Sequence, residues 1–416
     1  MTNTAAPGHH ETSSYRWVVL AVFALLNMVL QMHWVALAPV TREAAAFYHV
    51  SSLAIAAQSM MFMLVYIVVG MVASYVNDTF GTRIGVGIGA VLIGAFGLAK
   101  GFAASNFTAL TICQIGLAVA QPFVINATTR ISMDWFHARE HATATGIAIL
   151  AQYVGIVIAM ALTPQLVNNG GIPGALRLYG IAAFVVAIAF LVLFRGRSRV
   201  ALDEPDDRIG VAAGLRHIAR QRQMLLLLLM FFIGLGIFNA VTTWIEEVLA
   251  PRGFSAEQAG IAGAVMMIGG IIGASILPVF SDRVGKRVPF LIATMALSVP
   301  GMVGLTFLTS YPMLLAASFV LGFASMSAGP IGFQYGAELA HPAPESTTQG
   351  LMMVAGQVSG VLFIYGMHAF RTESGSMTPC LILFVAATLF NAWLCTRLPE
   401  IALTQAPAED LPARLK

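Results

Sequence analysis

Long apolar runs separated by short polar breaks dominate this chain. A helix that crosses a bilayer needs about 20 predominantly apolar residues. Twelve segments reach that length, at approximately 16–40, 51–76, 84–103, 107–133, 140–164, 176–196, 223–249, 257–281, 288–308, 311–340, 346–369 and 377–397. We therefore predict an all-α integral membrane protein with twelve transmembrane helices.

The one long polar segment lies between the sixth and seventh apolar runs. It includes the acidic run Asp203–Asp207 and is rich in arginine. We predict that it links two halves of six helices each. The predicted parts are an N-terminal tail at 1–15, a first half at 16–196, a linker at 197–222, a second half at 223–397 and a C-terminal tail at 398–416.

The distribution of positive charge predicts the orientation in the membrane. If the N-terminus is cytoplasmic, seventeen of the 22 Lys and Arg residues fall on that side and five on the other. Cytoplasmic loops carry an excess of Lys and Arg. Both termini and the linker are therefore expected to be cytoplasmic. The predicted location is the plasma membrane, or the inner membrane if the source is bacterial.

Composition supports the membrane assignment and excludes several other classes. Hydrophobic residues make up 58% of the 416 residues and charged residues 10%, whereas soluble domains carry about 25% charged residues. The net charge of +3 gives no indication of nucleic-acid binding. The three cysteines, Cys113, Cys380 and Cys395, lie in apolar runs without a metal-ligand spacing. We expect buried free thiols, no metal site and no cofactor.

The two predicted halves repeat each other in sequence. The stretch DTFGTR begins at Asp78, and DRVGKR begins 204 positions later at Asp282. A second echo has an offset of 205 positions and pairs Glu140, Gln152 and Gly155 with Glu345, Gln357 and Gly360. Two parallel repeats of six helices are typical of one large class of transporters.

The repeated loops resemble the signature loop of the major facilitator superfamily, although Ser74 and Pro278 stand where that family usually has glycine. Glycine permits a tight turn, a carboxylate is favoured at a helix N-terminus, and arginine suits an anionic membrane surface. We hypothesise that these loops latch the two halves together in an outward-open state. Arg130 is expected to pair with a carboxylate such as Asp78. The latch set is Asp78, Gly81, Arg83, Arg130, Asp282, Arg283, Gly285 and Arg287.

A narrower resemblance runs through both halves in order. Its elements are Arg16-Trp17-Val18, Trp34, Tyr66, the Asp78 loop, Ala120-Gln121-Pro122-Phe123, Arg130-Ile131-Ser132, Trp135-Phe136, the stretch 332–338, Glu345 and the stretch 356–360. The series is similar to the feline leukaemia virus subgroup C receptor-related transporters. That resemblance implies transport of choline and ethanolamine, and haem export has also been assigned to the family. It implies that Trp34 belongs to an aromatic cage and that Gln121 and Gln357 line a central cavity. Asn239 stands where the family has a tyrosine.

The residues themselves suggest a similar site. Polar groups at membrane depth are costly unless they face a cavity or a partner, and four amides, Gln121, Gln152, Asn239 and Gln357, fall near the middle of predicted helices. An indole face such as that of Trp34 attracts organic cations. The alternatives are interhelical hydrogen bonds for the amides and simple packing for Trp34. Tyr365 is a further candidate for lining the cavity, and its alternative is packing with the hydroxyl bonded to a neighbouring helix.

Charged groups are scarce in the predicted membrane interior. We find no Lys or Arg at mid-depth, which argues against carriers of carboxylates or phosphates. His33 is the one deep titratable group in the sequence, and it suits either a proton switch or a neutral hydrogen-bonded role. The acidic residues of a proton relay are absent from the predicted mid-membrane positions. We therefore favour facilitated diffusion.

The sequence thus predicts a monomeric secondary transporter that moves a small organic solute by alternating access. The solute class indicated is a cationic or zwitterionic amine such as choline or ethanolamine. An exporter of haem or another amphipathic solute and a proton-coupled carrier of a small metabolite are the alternatives. A membrane enzyme would need a catalytic set of residues and a solute sensor a large soluble domain, and the sequence shows neither.

Overall fold

The computed structural model describes residues 14–136, 140–194, 211–340, 345–373 and 375–400. These residues form fifteen α-helices and no strand. Contacts divide the chain into two compact units, Met1–Asp203 and Glu204–Lys416. The first part of the predicted linker, at 197–210, and both predicted tails, apart from a few residues, lie outside the described part of the chain.

The first unit contains α1 to α7. Their bounds are α1 Tyr15–Val35, α2 Thr41–Tyr48, α3 Ser52–Phe80, α4 Thr82–Phe102, α5 Phe107–Ile125, α6 Thr128–Trp135 and α7 His141–Leu193. A short 3₁₀ turn, Ala38–Val40, connects α1 to α2. The segment predicted as one helix at 107–133 is interrupted after Ile125, where the Asn126 side chain donates to the Gly70 carbonyl and the Ser74 hydroxyl.

The second unit contains α8 to α15. Their bounds are α8 Val211–Arg220, α9 Arg222–Thr243, α10 Ile245–Leu249, α11 Ala256–Val284, α12 Val288–Phe307, α13 Tyr311–Ala340, α14 Glu345–Ala369 and α15 Thr378–Cys395. Helix α8 lies within the segment predicted as linker and packs against α9 and α14.

Within the described residues, eleven helical segments are long and apolar enough to cross a membrane. Helix α7 accounts for the difference from the predicted twelve. At 1.5 Å per residue its 53 residues extend about 80 Å, more than twice the roughly 30 Å of a bilayer core. Gly171 interrupts it with a φ of 66°, a value that glycine adopts without steric strain. The predicted fifth and sixth spans are therefore the two parts of α7, joined at a glycine instead of a loop, and the predicted fold class is confirmed.

The two units repeat the same scheme of helix pairing. In the first, α1 packs along α7, α3 along α5, and α4 against both α5 and α7. In the second, α9 packs along α14, α11 along α13, and α12 against both α13 and α15. Small residues allow close approach in these pairs: a Cβ at Gly155 would overlap the carbonyl oxygen of Met28. The repeated packing agrees with the repeated sequence.

Candidate functional site

Gln121 and Gln357 differ from the other amides that the sequence placed near the middle of predicted helices. In the structure, Gln121 and Asn239 lie near the ends of α5 and α9. Gln121 lies on α5 at 9% exposure, and Gln357 lies half-buried on α14. Neither side chain has a hydrogen-bond partner among the residues that the structure describes, and neither is among the fully enclosed polar groups without a partner. Their amide heads therefore reach accessible space with their hydrogen-bonding capacity unused.

The other buried amides in these helices are engaged with protein groups. Gln31 on α1 donates to the Gln152 side chain on α7 at 3.5 Å. Gln31 is therefore a helix-contact residue, and Gln152 has the interhelical partner that was the alternative to a binding role. Asn239 on α9 donates to the Gly356 carbonyl at 3.4 Å. That bond brings Asn239 next to the residue that precedes Gln357, so these two predicted site residues lie together in the second unit.

Trp34 is packed between helices. Its indole N–H donates to the Ser59 carbonyl at 3.3 Å, and the Ser59 hydroxyl donates back to the Trp34 carbonyl at 3.1 Å. The side chain is 8% exposed. Only a small part of the ring is therefore open to a solute, and the indole N–H is already used.

Tyr365 has the opposite environment. It is 58% exposed on α14, on the same face as the exposed Leu362. The structure thus places Tyr365 on an open face of its unit and does not bring it into contact with Gln357.

His33 lies in a buried polar cluster that the sequence did not reveal. Its backbone carbonyl accepts from the Lys100 amine at 3.4 Å and from the Gln114 amide at 3.3 Å. The Lys100 amine also donates to the Gln114 side-chain oxygen, and Gln114 donates to the Gln58 carbonyl at 2.9 Å. Both ring nitrogens of His33 are enclosed without a hydrogen-bond partner among the described residues.

The expectation that His33 is the one deep titratable group is therefore wrong. Lys100 is 1% exposed, and Glu246 and Glu247 are also buried. Lys100 occurs two residues before the end of α4, a position from which the sequence suggested the membrane surface. A possible signal was Gln114, a second polar residue in an apolar run, which lies two helical turns from Gln121 on the same face of α5.

The predicted latch loops both contain the expected tight turn. Gly81 and Gly285 have φ values of 84° and 69°. In the second unit, Arg287 pairs with Asp282 and, at 3.0 Å, with Glu338. The Glu400 carboxylate accepts from the backbone N–H groups of Arg287 and Val288 at 2.7 and 3.1 Å. The sequence did not single out Glu338 or Glu400 as loop anchors.

In the first unit the loop has a different anchor. The Thr82 hydroxyl donates to the Asp134 carboxylate at 3.1 Å. Burial raises the pKa of the Asp134 carboxyl, whereas the Thr82 hydrogen bond and the Arg130 charge oppose that rise. The predicted pairing of Arg130 with Asp78 stays a prediction, because the Asp78 side chain lies outside the described residues. Arg83 and Arg283 are exposed.

The three cysteines are free and buried, as predicted. Within the described residues, no cluster of three or more His, Cys, Asp or Glu side chains has the arrangement of a metal site.

Comparisons with known proteins point to one family. The model of the Major Facilitator Superfamily matches residues 18–364. Solute carrier family 49 member A3 of Danio rerio is 29% identical over 383 residues, covering 87% of this chain and 80% of that protein. The choline/ethanolamine transporter FLVCR1 of Felis catus is 27% identical over 407 residues, covering 91% of this chain and 72% of that protein. The choline/ethanolamine transporter FLVCR2 of Homo sapiens is 25% identical over 408 residues, covering 91% of this chain and 77% of that protein.

Solved structures show the same fold. The crystal structure of a bacterial homologue of the human lysosomal transporter Spinster, inward-facing and unoccupied, has a TM-score of 0.72 at 15% identity and covers 93% of this chain and 98% of that one. A D-xylose–proton symporter has a TM-score of 0.72 at 14% identity, with coverage of 92% and 98%. The family match across most of the apolar sequence shows that the chain belongs to the major facilitator superfamily and is a multi-pass membrane transporter.

Proposed function

We propose that this transporter moves a small cationic or zwitterionic amine of the choline and ethanolamine class by alternating access. Relatives named as choline/ethanolamine transporters align with 91% of the chain at 25 to 27% identity. The resemblance read from the sequence supports the same class, because Trp34, Gln121 and Gln357 occupy the matching positions.

The unused hydrogen-bonding capacity of Gln121 and Gln357 is the observation that carries the proposal. A polar group within a membrane protein normally finds a partner, because leaving it unpaired is costly. Other buried amides in this chain have found one, and these two amides have none among the described residues. A side-chain amide oxygen accepts from the hydroxyl of choline or from the hydroxyl and ammonium of ethanolamine, so a bound solute of this class supplies the missing partner.

Asn239 in the second unit and Trp34 in the first supply weaker contacts to the solute. The Asn239 amide nitrogen is held by Gly356, and its oxygen is left to accept from a solute. The open part of the Trp34 ring contributes a cation–π contact of about 0.5–1 kcal/mol, the lower part of the range for such pairs, because most of the ring is covered. Asn239 replaces an aromatic cage residue with an amide and thereby favours solutes that donate hydrogen bonds. We therefore expect ethanolamine to be accepted at least as well as choline.

Proton coupling is the second candidate mechanism. The observation that favours it is the burial of two titratable groups in one cluster: the His33 ring, whose nitrogens have no partner among the described residues, and the Lys100 amine, which donates to the His33 backbone carbonyl. Uptake by proteoliposomes with and without an imposed proton gradient separates the two mechanisms. Equal rates support facilitated diffusion. Strict dependence on the gradient, lost in His33→Ala, supports proton coupling.

The proposed setting is a monomer in the plasma membrane, or the inner membrane in bacteria, with both termini cytoplasmic. The seventeen-to-five division of Lys and Arg supports that orientation. Labelling of single cysteines introduced at positions 9 and 410 in intact and permeabilised cells tests it. Labelling only after permeabilisation is expected.

The substrate is tested with proteoliposomes and radiolabelled choline, ethanolamine, betaine, haem and simple carboxylates, in both the uptake and the efflux direction. We expect saturable movement of ethanolamine and choline and no movement of carboxylates. Preference for a carboxylate would overturn the amine assignment, and preference for haem would replace it with the amphipathic-export alternative.

A further inference from the structure

A cavity of about 520 Å³ lies in the second unit, where α9 begins and α15 ends. It is lined by Arg222, Gln223, Leu226, Trp393, Leu394 and Arg397. Its volume lies in the range of small-ligand sites. It is separate from Gln357 and Asn239, because Arg222 and Gln223 are the first two residues of α9 and Asn239 lies in the last turns of the same helix.

The cavity carries two positive charges without an acidic residue in its lining. Neither Arg222 nor Arg397 forms an ion pair with a described carboxylate. The Arg397 guanidinium lies 4.7 Å from the centre of the Trp393 ring, and this stacking holds one guanidinium at the cavity wall. Planar guanidinium groups match the oxygen geometry of phosphate, so the lining is suited to a phosphate group.

The start of α9 adds hydrogen-bond donors to the same cavity. The residue before α9, Gln221, makes no side-chain cap, and its amide is within 2.7 Å of the His217 ring. The first N–H groups of an uncapped helix lack intrahelical partners and favour negative charge. Because Arg222 and Gln223 both line the cavity, these donors lie at its edge.

An exposed apolar strip continues from the cavity along both helices. Leu225 and Leu229 lie on α9, and Leu389 and Phe390 lie on α15, all with exposed side chains. Helix α8, which packs against α9, adds exposed Arg216 and Arg220 near its own end. A soluble phosphate needs only the cavity, whereas a phospholipid also uses the apolar strip for its acyl chains. Basic pockets between transmembrane helices are sites for anionic lipid headgroups.

We infer that this cavity binds a phosphate group, and that its occupant is the headgroup of an anionic phospholipid whose acyl chains lie along α9 and α15. A bound lipid then bridges the start of α9 to the end of α15. This inference does not depend on the transported solute.

The experiment uses the full-length protein in detergent micelles that contain dioleoylphosphatidylcholine. Thermal unfolding is followed while dioleoylphosphatidylglycerol is added, and in a separate arm while inorganic phosphate is added. The variants are Arg222→Gln, Arg397→Gln and the double variant. Arg177→Gln is the matched control, because Arg177 is an exposed arginine over an aromatic ring, Phe102, in the other unit.

We expect a saturable rise in the unfolding temperature with phosphatidylglycerol. Its apparent affinity should fall about fivefold in each single variant and roughly 30-fold in the double variant, since one arginine near the surface contributes about a factor of five. The Arg177→Gln control should match the wild type. Saturable stabilisation by inorganic phosphate that disappears in the double variant would support the phosphate site and reassign its occupant to a soluble phosphate. Phosphatidylglycerol binding that is equal in the wild type and the double variant would overturn the inference.

Discussion

The two units anchor the same loop with different chemistry. In the first unit a hydroxyl, Thr82, holds the carboxylate of Asp134. In the second unit Arg287 holds Glu338, which occurs 204 positions after Asp134, and also pairs with Asp282. The second loop therefore has a largely buried ion pair as its anchor. Among the described residues of the first loop, the Asp134 carboxylate accepts a hydrogen bond from a neutral hydroxyl and is also subject to the Arg130 charge.

The interiors differ in a similar way. The first unit buries Lys100, Gln114 and the His33 carbonyl as one hydrogen-bonded cluster. At the same offset of 204 positions, the second unit has Gly304 and Ser318, and the enclosed Ser318 hydroxyl has no partner among the described residues. A shared helix-pairing scheme thus tolerates different buried polar groups. The difference teaches that the repeat specifies backbone packing more strictly than it specifies side-chain chemistry.

The largest effect is expected at the ionic anchor. Arg287→Ala leaves the largely buried Glu338 without its ion-pair partner, with the Gln334 amide still donating to it, and should lower the free energy of unfolding by about 3 kcal/mol. Thr82→Val in the first unit should lower it by only about 1 kcal/mol. Asp282→Asn should have little effect on stability, because Asp282 is 62% exposed. Thermal unfolding of the purified variants measures all three. Equal destabilisation by Arg287→Ala and Thr82→Val would show that the anchors are equivalent.

The next largest effect is expected where a glycine lets two helices approach closely, and it should differ between the two units. A Cβ at Gly155 would overlap the backbone of Met28, which cannot move without separating α1 from α7. A Cβ at Gly336, in the second unit, would approach only the far ends of the flexible Met352 and Leu227 side chains. We expect Gly155→Ala to lower the free energy of unfolding by about 2–3 kcal/mol and Gly336→Ala by less than about 1 kcal/mol.

Gly146→Ala is the control for this comparison, because no atom lies within 4 Å of a Cβ placed there. It should be neutral or stabilising by about 0.5–1 kcal/mol through helix propensity. A loss of stability at Gly146 equal to that at Gly155 would show that packing is not the cause.

The buried cluster of the first unit gives a coupled effect. Gln114→Leu removes a side chain that bonds Lys100, His33 and Gln58, and should lower the free energy of unfolding by about 2 kcal/mol. Lys100→Met should lower it by less, because it removes a buried amine but leaves the Gln114 side-chain oxygen without its donor. In the double variant the cost of Gln114→Leu should shrink, since no amine is left unpaired. Additive effects in the double-mutant cycle would contradict a coupled cluster.

The smallest effect depends on pH and concerns Asp134. Burial raises the pKa of the Asp134 carboxyl in the folded state. The stability that this group contributes is therefore fully present below its unfolded pKa of about 3.9. That contribution is lost as the pH rises through the pKa of the folded state. Asp134→Asn should therefore be slightly more stable than the wild type at neutral pH, with the gap closing toward pH 4. A gap that widens on acidification would reverse the assigned sign.

Much of the fold could be predicted from the sequence because apolar segment length is dictated by bilayer thickness. The continuity of α7 could not, because one glycine with a positive φ replaces the loop that residues 165–175 suggested. The burial of Lys100 was missed because a charge near the end of an apolar run usually lies at the surface. Its burial depends on Gln114, a partner that only the tertiary structure brings close.

The candidate site was predicted in part. Polar residues at mid-helix identified the amides, but the sequence could not separate Gln121 and Gln357 from Gln152, whose partner is on another helix. Trp34 illustrates the same limit, because its hydrogen bond with Ser59 joins helices that the sequence treats as independent. Interhelical partners are set by packing geometry, which one sequence does not contain.

The most direct test of the proposed site is radiolabelled ethanolamine and choline uptake by Gln121→Leu, Gln357→Leu and Gln165→Leu proteins in proteoliposomes. Gln165 is an exposed glutamine of the first unit and serves as the control. We predict that each of the first two variants lowers the apparent affinity about tenfold or more, as expected for a lost hydrogen bond to a charged solute, with unfolding temperatures close to that of the wild type and the control unchanged. Wild-type affinity in both Gln121→Leu and Gln357→Leu would contradict the assignment of these two amides to the solute site.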